Sequence, residues 1–120
     1  MPPDPPAERY EEGLRLLARG EHFAAHEAFE DVWRTARREE RDFFQGLVHV
    51  AVAWYQASRR NRVGCERQLE KARRRLGAYR PSHRRLDVDA ILAQIEAAAS
   101  CYPNLEPLRI SRAAESPEPG

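Results

Sequence analysis

The stretch DFFQGLVHVAVAWYQ, residues 42–56, decides the fold. It lies within residues 40–59, whose length and composition predict a helix, and its apolar side chains fall on almost every side of that helix. A helix that is apolar nearly all round is typical of the buried centre of a bundle. This stretch therefore predicts a helical protein in which other helices pack around the third one.

Amphipathic segments flank this central stretch on both sides. Their apolar residues recur at three- and four-residue spacing, which predicts further helices. The segments span residues 7–19, 21–38, 62–79 and 87–100. Gly20, Asn61 with Gly64, and Pro81 lie between them as turn residues, and Asp87 is placed to cap the last helix. The chain has no Asn-Gly or Asp-Gly pair and no alternating β-branched run, so we expect no β-hairpin and predict an all-α, compact bundle of about five helices.

A weak internal repeat has a period of 40 residues. The apolar positions of residues 23–36 match those of residues 63–76, and both runs follow a helix and a tight turn. This pattern predicts two stacked helical hairpins of tetratricopeptide-like geometry. The alternative is that any two amphipathic helices align this well.

Length and composition favour a single domain. The chain has 120 residues, 42% of them hydrophobic and 32% charged, which is enough to build a core without a metal or disulfide. Proline-rich ends predict tails at residues 1–6 and 104–120 around a helical domain at 7–103. No stretch approaches the roughly 18 apolar residues of a membrane span. The chain has no export signal and only two cysteines, so we expect a cytoplasmic protein without a membrane partner.

The second helix carries the side chains best suited to chemistry. His26 and Glu30 are four residues apart, which places them on one helical face. Trp33 lies one turn further and is expected to be largely buried against the third helix. His26 and Glu27 resemble the start of the zinc-protease HExxH helix, but Glu30 stands where the second histidine would be. These residues make only half of a metal site, so a complete one needs ligands from another helix.

A polar stripe on the third helix could complete such a site. Gln45, His49 and Gln56 interrupt its apolar surface at helical spacing. If this stripe faces the second helix, Gln45 and His49 join His26 and Glu30 in one pocket, which would bind a ligand or a metal or support acid–base chemistry. If it faces solvent, His26 and Glu30 form a local packing pair.

The residues from 59 to 85 are strongly basic. They contain ten arginines and one lysine against two glutamates, whereas the whole chain has a net charge of only +1. Arg73, Arg74 and Arg75 are candidate anion-binding residues, because guanidinium groups bind phosphates well. Tyr79 is the one aromatic residue in this segment, so platforms for base stacking are scarce there.

Two quoted stretches, GEHFAAHEAFEDVWR at 20–34 and DFFQGLVHVAVAWYQ at 42–56, resemble the DUF309 family of small helical proteins of unknown function. The resemblance covers roughly residues 10–80. The positions that match the HExxExxW helix, the QGL helix and the following turn are His26, Glu27, Glu30, Trp33, Gln45, Gly46, Leu47, Asn61 and Gly64. The resemblance implies a compact α-helical domain in which the His/Glu helix packs on the QGL helix. It implies no reaction.

The sequence therefore favours an interaction or ligand-binding module that uses the pocket on the second and third helices and binds a protein or a small molecule. One alternative is a metal-dependent hydrolase using His26, Glu27 and Glu30. Another is an arginine-mediated nucleic-acid binder through residues 59–85. The residues point to no familiar enzyme class, and they leave cofactor, metal and oligomeric state unassigned.

Overall fold

The computed structural model describes residues 5–113, so the outer parts of the two predicted tails, residues 1–4 and 114–120, lie outside the described residues. Within the described range there are five α-helices: α1 (Pro5–Ala18), α2 (His22–Thr35), α3 (Arg38–Ser58), α4 (Arg62–Leu76) and α5 (Val88–Cys101). The prediction of an all-α bundle of about five helices is confirmed. None of the described helices is long and apolar enough to cross a membrane.

The central helix of the bundle is α3. It packs against α2 on one side and α4 on the other, and most of its apolar side chains are buried. Gly46 allows α4 to approach closely, because a Cβ atom at this position would lie 2.7 Å from the Leu76 side chain. Gly13 has the same role between α1 and α2, where a Cβ atom would lie 2.6 Å from the Phe29 ring.

The turns after α1 and α3 have the same hydrogen bonds, 40 residues apart. In the first turn, Glu21 N–H donates to Leu16 O at 2.9 Å, and in the second, Asn61 N–H donates to Gln56 O, also at 2.9 Å. A bond that spans six residues in this way is the Schellman ending of a helix. The sequence repeat thus corresponds to two helical hairpins, α1–α2 and α3–α4, that share one turn structure.

A left-handed residue closes each of these turns. Gly20 has a φ of 79° and Arg60, at the equivalent position, has a φ of 59°. Glycine adopts this conformation without steric cost, whereas arginine does not. The shared geometry supports the internal repeat, and the likeness to tetratricopeptide hairpins stays a prediction.

A short β-hairpin follows α4, so the expectation of no hairpin was wrong. After a 3₁₀ turn at Gly77–Tyr79, β1 (Ser82–His83) pairs antiparallel with β2 (Leu86–Asp87). The two residues between the strands, Arg84 and Arg85, have φ values of 47° and 63°. Turns of this type usually contain Asn-Gly or Asp-Gly. The sequence therefore gives no local signal for this hairpin.

Contacts with the start of α3 hold the hairpin in place. Glu40, with a side chain 19% exposed, accepts hydrogen bonds from Arg84 Nε at 2.5 Å and Nη2 at 2.8 Å. His83 Nε2 lies 2.9 Å from the same carboxylate, and its ring packs against Phe43 with 4.6 Å between centroids. The bonds from Arg84, and then that from His83, lower the pKa of Glu40 to about 2. These long-range contacts compensate for the unusual turn residues.

The segment after α5 packs against the helices. Leu108 is only 3% exposed, and the indole N–H of Trp54 donates to Glu106 O at 2.9 Å. The packed part of the chain thus continues from residue 103, the predicted end of the domain, to at least residue 113.

Candidate functional site

The predicted pair of His26 and Glu30 forms on α2. His26 Nε2 lies 3.2 Å from Glu30 Oε2, and the two side chains are 22% and 40% exposed. The other ring nitrogen, Nδ1, is buried and has no hydrogen-bond partner within residues 5–113. His26 therefore has one ring nitrogen beside a carboxylate and one buried ring nitrogen without a hydrogen-bond partner among the described residues.

Two further polar atoms on α2 are in the same situation. His22 Nε2 and Trp33 Nε1 are buried and have no hydrogen-bond partner in the described part of the chain. Burial lowers the pKa of His22, so this histidine is neutral near pH 7. Trp33 is partly buried and packs against the core, and the Arg41 guanidinium lies 4.3 Å from its ring centroid. Trp33 thus borders the core and the surface together.

The polar stripe of α3 pairs with α4. His49 Nδ1 bonds to Gln68 Oε1 at 2.7 Å. Two more pairs lie seven residues to either side: Asp42 with Arg75 at 2.6 Å, and Gln56 with Asn61, the residue before α4, at 3.1 Å. This ladder shows that His49 and Gln56 lie on the flank of α3 that faces α4.

The two halves of the predicted pocket are consequently not joined by hydrogen bonds. His26 contacts Glu30 within α2, whereas His49 forms a hydrogen bond with Gln68 of α4. Gln45 is half-buried, and within residues 5–113 its side chain donates no hydrogen bond to Glu30 or His26. The contacts therefore divide the predicted pocket residues into two groups: His26 and Glu30 on α2, and His49 with its partner on α4.

His49 lies in an environment that keeps it neutral. Burial is the main cause that lowers its pKa, and the nearby cations Arg75 and Lys71 lower it further, against the opposing effect of the Gln68 bond. Its Nε2 is buried without a hydrogen-bond partner among the described residues. Since the amide oxygen of Gln68 accepts, His49 has its proton on Nδ1 and an unused lone pair on Nε2.

The described residues offer no metal centre. Within residues 5–113, no three His, Cys, Asp or Glu side chains come together in a way that could hold a metal ion. Glu27 follows His26 directly, so it points about 100° away around the helix, and it is exposed. His26, Glu27 and Glu30 therefore do not form a set of three ligands.

The predicted anion-binding arginines are paired with carboxylates. Arg73 and Arg74 both bond to Glu70, at 2.7 and 3.3 Å, and Arg75 bonds to Asp42 at 2.6 Å. The bonds from Arg73 and Arg74 lower the pKa of Glu70, which keeps it ionised. Much of the charge at these three positions is thus neutralised within the protein.

Sequence reasoning missed an open groove between α4 and α5. Its volume is ≈ 790 Å³, and Leu69, Leu92 and Ile95 provide apolar lining. Charged side chains on both helices, Arg73 and Glu96 among them, lie along it. The apolar face of the predicted fifth helix indicated that this helix packs on a neighbour. It did not indicate that α4 and α5 leave a groove between them.

The comparison with protein families agrees with the motif. The model of the DUF309 family, a domain of unknown function, matches residues 10–68. This match supports the family assignment over residues 10–68. The matched residues include α2, α3 and the turn between α3 and α4. The His26–Glu30 pair therefore lies inside the family domain, as do all the ladder residues except Arg75. No curated protein matches the chain.

Proposed function

We propose that this domain is an interaction module and that the edge of α2 formed by His22, His26, Glu30 and Trp33 binds a protein partner. The observation that carries the proposal is a row of three buried polar atoms on this edge, His22 Nε2, His26 Nδ1 and Trp33 Nε1, that have no hydrogen-bond partner among the described residues. Their positions fall on one side of the helix.

Unsatisfied polar atoms of this kind favour binding. A buried donor or acceptor without a partner costs about 1–3 kcal/mol, and a partner that supplies the missing hydrogen bond recovers part of that cost. A peptide backbone offers both an acceptor for the indole N–H and donors for the imidazole nitrogens.

The residue types support a protein partner. Tryptophan and arginine are enriched at the centres of protein interfaces, where they supply large contact areas. Trp33 and Arg41 stack at 4.3 Å beside the His26–Glu30 pair. The hydrolase alternative has no third ligand within residues 5–113, so no observation favours it.

Two cysteines are consistent with the cytoplasmic location that we propose. Cys65 is buried, Cys101 is exposed, and neither forms a disulfide in the described structure. Such thiols are typical of proteins from reducing compartments.

Affinity capture with matched variants tests the α2 edge. Trp33→Phe removes the indole N–H but keeps an aromatic ring, and His26→Gln changes the unsatisfied nitrogen. Glu27→Gln is the control, because Glu27 is exposed beside the edge. We expect a partner retained by the wild type and the control to be lost from both edge variants. Equal retention by all four proteins would exclude this edge as the binding site.

A further inference from the structure

Aromatic and arginine side chains come together at one end of the bundle. The ring of Phe23, at the start of α2, lies 5.6 Å from that of Tyr55, near the end of α3. Arg62, at the start of α4, lies 4.7 Å from the ring of Tyr102, which follows α5. We call this surface the aromatic–arginine end; it comprises Phe23, Tyr55, Arg59, Arg60, Arg62 and Tyr102.

Phe23 is an exposed aromatic side chain at the aromatic–arginine end. Phe23 is 54% exposed and Val63 is 58% exposed, and no other large apolar side chains are so exposed within residues 5–113. The two residues are 40 apart and hold equivalent positions in the repeat, so both lie beside the shared turns. More than half of the Phe23 side chain is therefore open to solvent, while its ring also contacts those of Tyr55 and His26, at 5.6 and 5.5 Å.

Within residues 5–113, the arginines at this end lack the close carboxylate partners that neutralise Arg73, Arg74 and Arg75. Among the described residues, neither Arg59 nor Arg60 forms an ion pair with a carboxylate, and Arg62 has only Glu66 at 3.7 Å. Arg59 lies over the Tyr55 ring, 5.7 Å from its centroid. This contrasts with Arg73 and its neighbours, whose guanidinium groups bond to carboxylates.

We propose that the aromatic–arginine end binds single-stranded nucleic acid, with Arg59 and Arg60 on the phosphates and a base stacked on Phe23. Guanidinium groups bind phosphate oxygens through paired hydrogen bonds. Any base can stack on an aromatic ring, so such a surface tolerates different sequences. Bases in a duplex are already stacked inside and cannot reach Phe23, which favours a single strand.

The fold places aromatic side chains next to the basic segment, which contains few of its own. Residues 59–85 contain one aromatic residue, but the fold brings Phe23, Tyr55 and Tyr102 to the beginning of that segment. An acidic peptide is the competing ligand. It would need a concave apolar pocket for its anchor, whereas the groove of ≈ 790 Å³ lies between α4 and α5 and is not lined by these rings.

Fluorescence anisotropy with the full chain tests this proposal. The probe is a labelled single-stranded oligothymidylate of about 16 nucleotides, titrated at about 50 and about 200 mM salt. Phe23→Ala removes the open ring. Arg60→Gly removes a cation and relaxes the positive-φ turn, so it does not threaten the fold. Arg74→Gln, which removes a charge paired with Glu70, is the matched control.

We expect the wild type to bind and to lose about tenfold or more in affinity over this salt range. Phe23→Ala should weaken binding by about tenfold and Arg60→Gly by about three- to tenfold, while Arg74→Gln stays within about twofold of wild type. Absence of binding at low salt would overturn the proposal. An equal loss of affinity in Arg74→Gln would also overturn it. So would competition by a DNA duplex or by a polyglutamate peptide that is as tight as competition by the unlabelled single strand.

Discussion

His49 of α3 donates a hydrogen bond from Nδ1 to Oε1 of Gln68 in α4, at 2.7 Å, and this bond is the middle rung of a ladder. The rungs on either side are Asp42–Arg75 and Gln56–Asn61. The middle rung is partly buried and the outer two are exposed, so a shift of α4 would leave the polar groups of His49 and Gln68 unpaired away from water. The polar stripe of the otherwise apolar α3 thus fixes how α4 sits on it.

Removing one partner of the middle rung should destabilise the protein more than removing both. We expect Gln68→Leu to lower the free energy of unfolding by about 1–2 kcal/mol, because it leaves the His49 N–H without an acceptor. The double variant His49→Leu/Gln68→Leu should recover most of that loss. Urea unfolding of the two single variants and the double variant measures the coupling. Additive effects would show that the bond contributes nothing to stability.

The repeated turns predict opposite effects for two substitutions. Gly20→Ala should lower the free energy of unfolding by about 1 kcal/mol, because a Cβ atom is strained at a φ of 79°. Arg60→Gly should raise it by about 0.5–1 kcal/mol, because glycine suits the positive φ of 59°. Thermal unfolding of both variants checks this pair of signs. The same sign in both would contradict the equivalence of the two turns.

The helices could be predicted because their signals are local. The apolar surround of α3 follows from residues 43–55 alone, and Asp87 caps α5 as expected, since its carboxylate accepts from Ala90 N–H at 2.9 Å. The rotation of α3 could not be predicted in the same way. A turn of about 100° about the helix axis decides whether His49 meets α2 or α4, and only the packing of three helices sets that angle.

Features formed by residues that lie far apart along the chain could also not be predicted from the sequence. Glu40 lies more than 40 residues before His83 and Arg84, and no periodic pattern connects it to them. The hairpin they stabilise lacks the usual turn residues. The segment that contains Leu108 has no helical or strand pattern. Leu108 is nevertheless buried, and the backbone of the segment forms hydrogen bonds with Trp54 of α3 and Gln94 of α5.

The Glu40 cluster predicts a loss of stability in acid. The pKa of Glu40 in the folded state, about 2, lies below its usual 4.5, so its contribution is complete above about pH 5 and disappears as the pH falls towards 2. We expect this contribution to be about 2–3 kcal/mol. Glu40→Gln should therefore be less stable at pH 7 and should depend less on pH between about 5 and 2. Unfolding curves across this pH range make the comparison; parallel pH profiles for both proteins would contradict the prediction.

Close contact between α3 and α4 predicts that Gly46 tolerates no side chain, whereas Gly77 does. A Cβ atom at Gly46 would lie 2.7 Å from the buried Leu76 side chain, while one at Gly77 would have no atom within 4 Å. We expect Gly46→Ala to lower the free energy of unfolding by about 1–3 kcal/mol through overpacking, and the control Gly77→Ala to leave it unchanged or slightly higher.

A second-site change identifies the cause of the Gly46 effect. If the Leu76 side chain is what the new methyl group meets, Leu76→Val in the Gly46→Ala background should cost less than Leu76→Val alone, because the smaller side chain makes room. Chemical denaturation of the four proteins gives the coupling energy. A cost that is the same in both backgrounds would mean that Gly46→Ala acts through the backbone of α3 and not through its contact with α4.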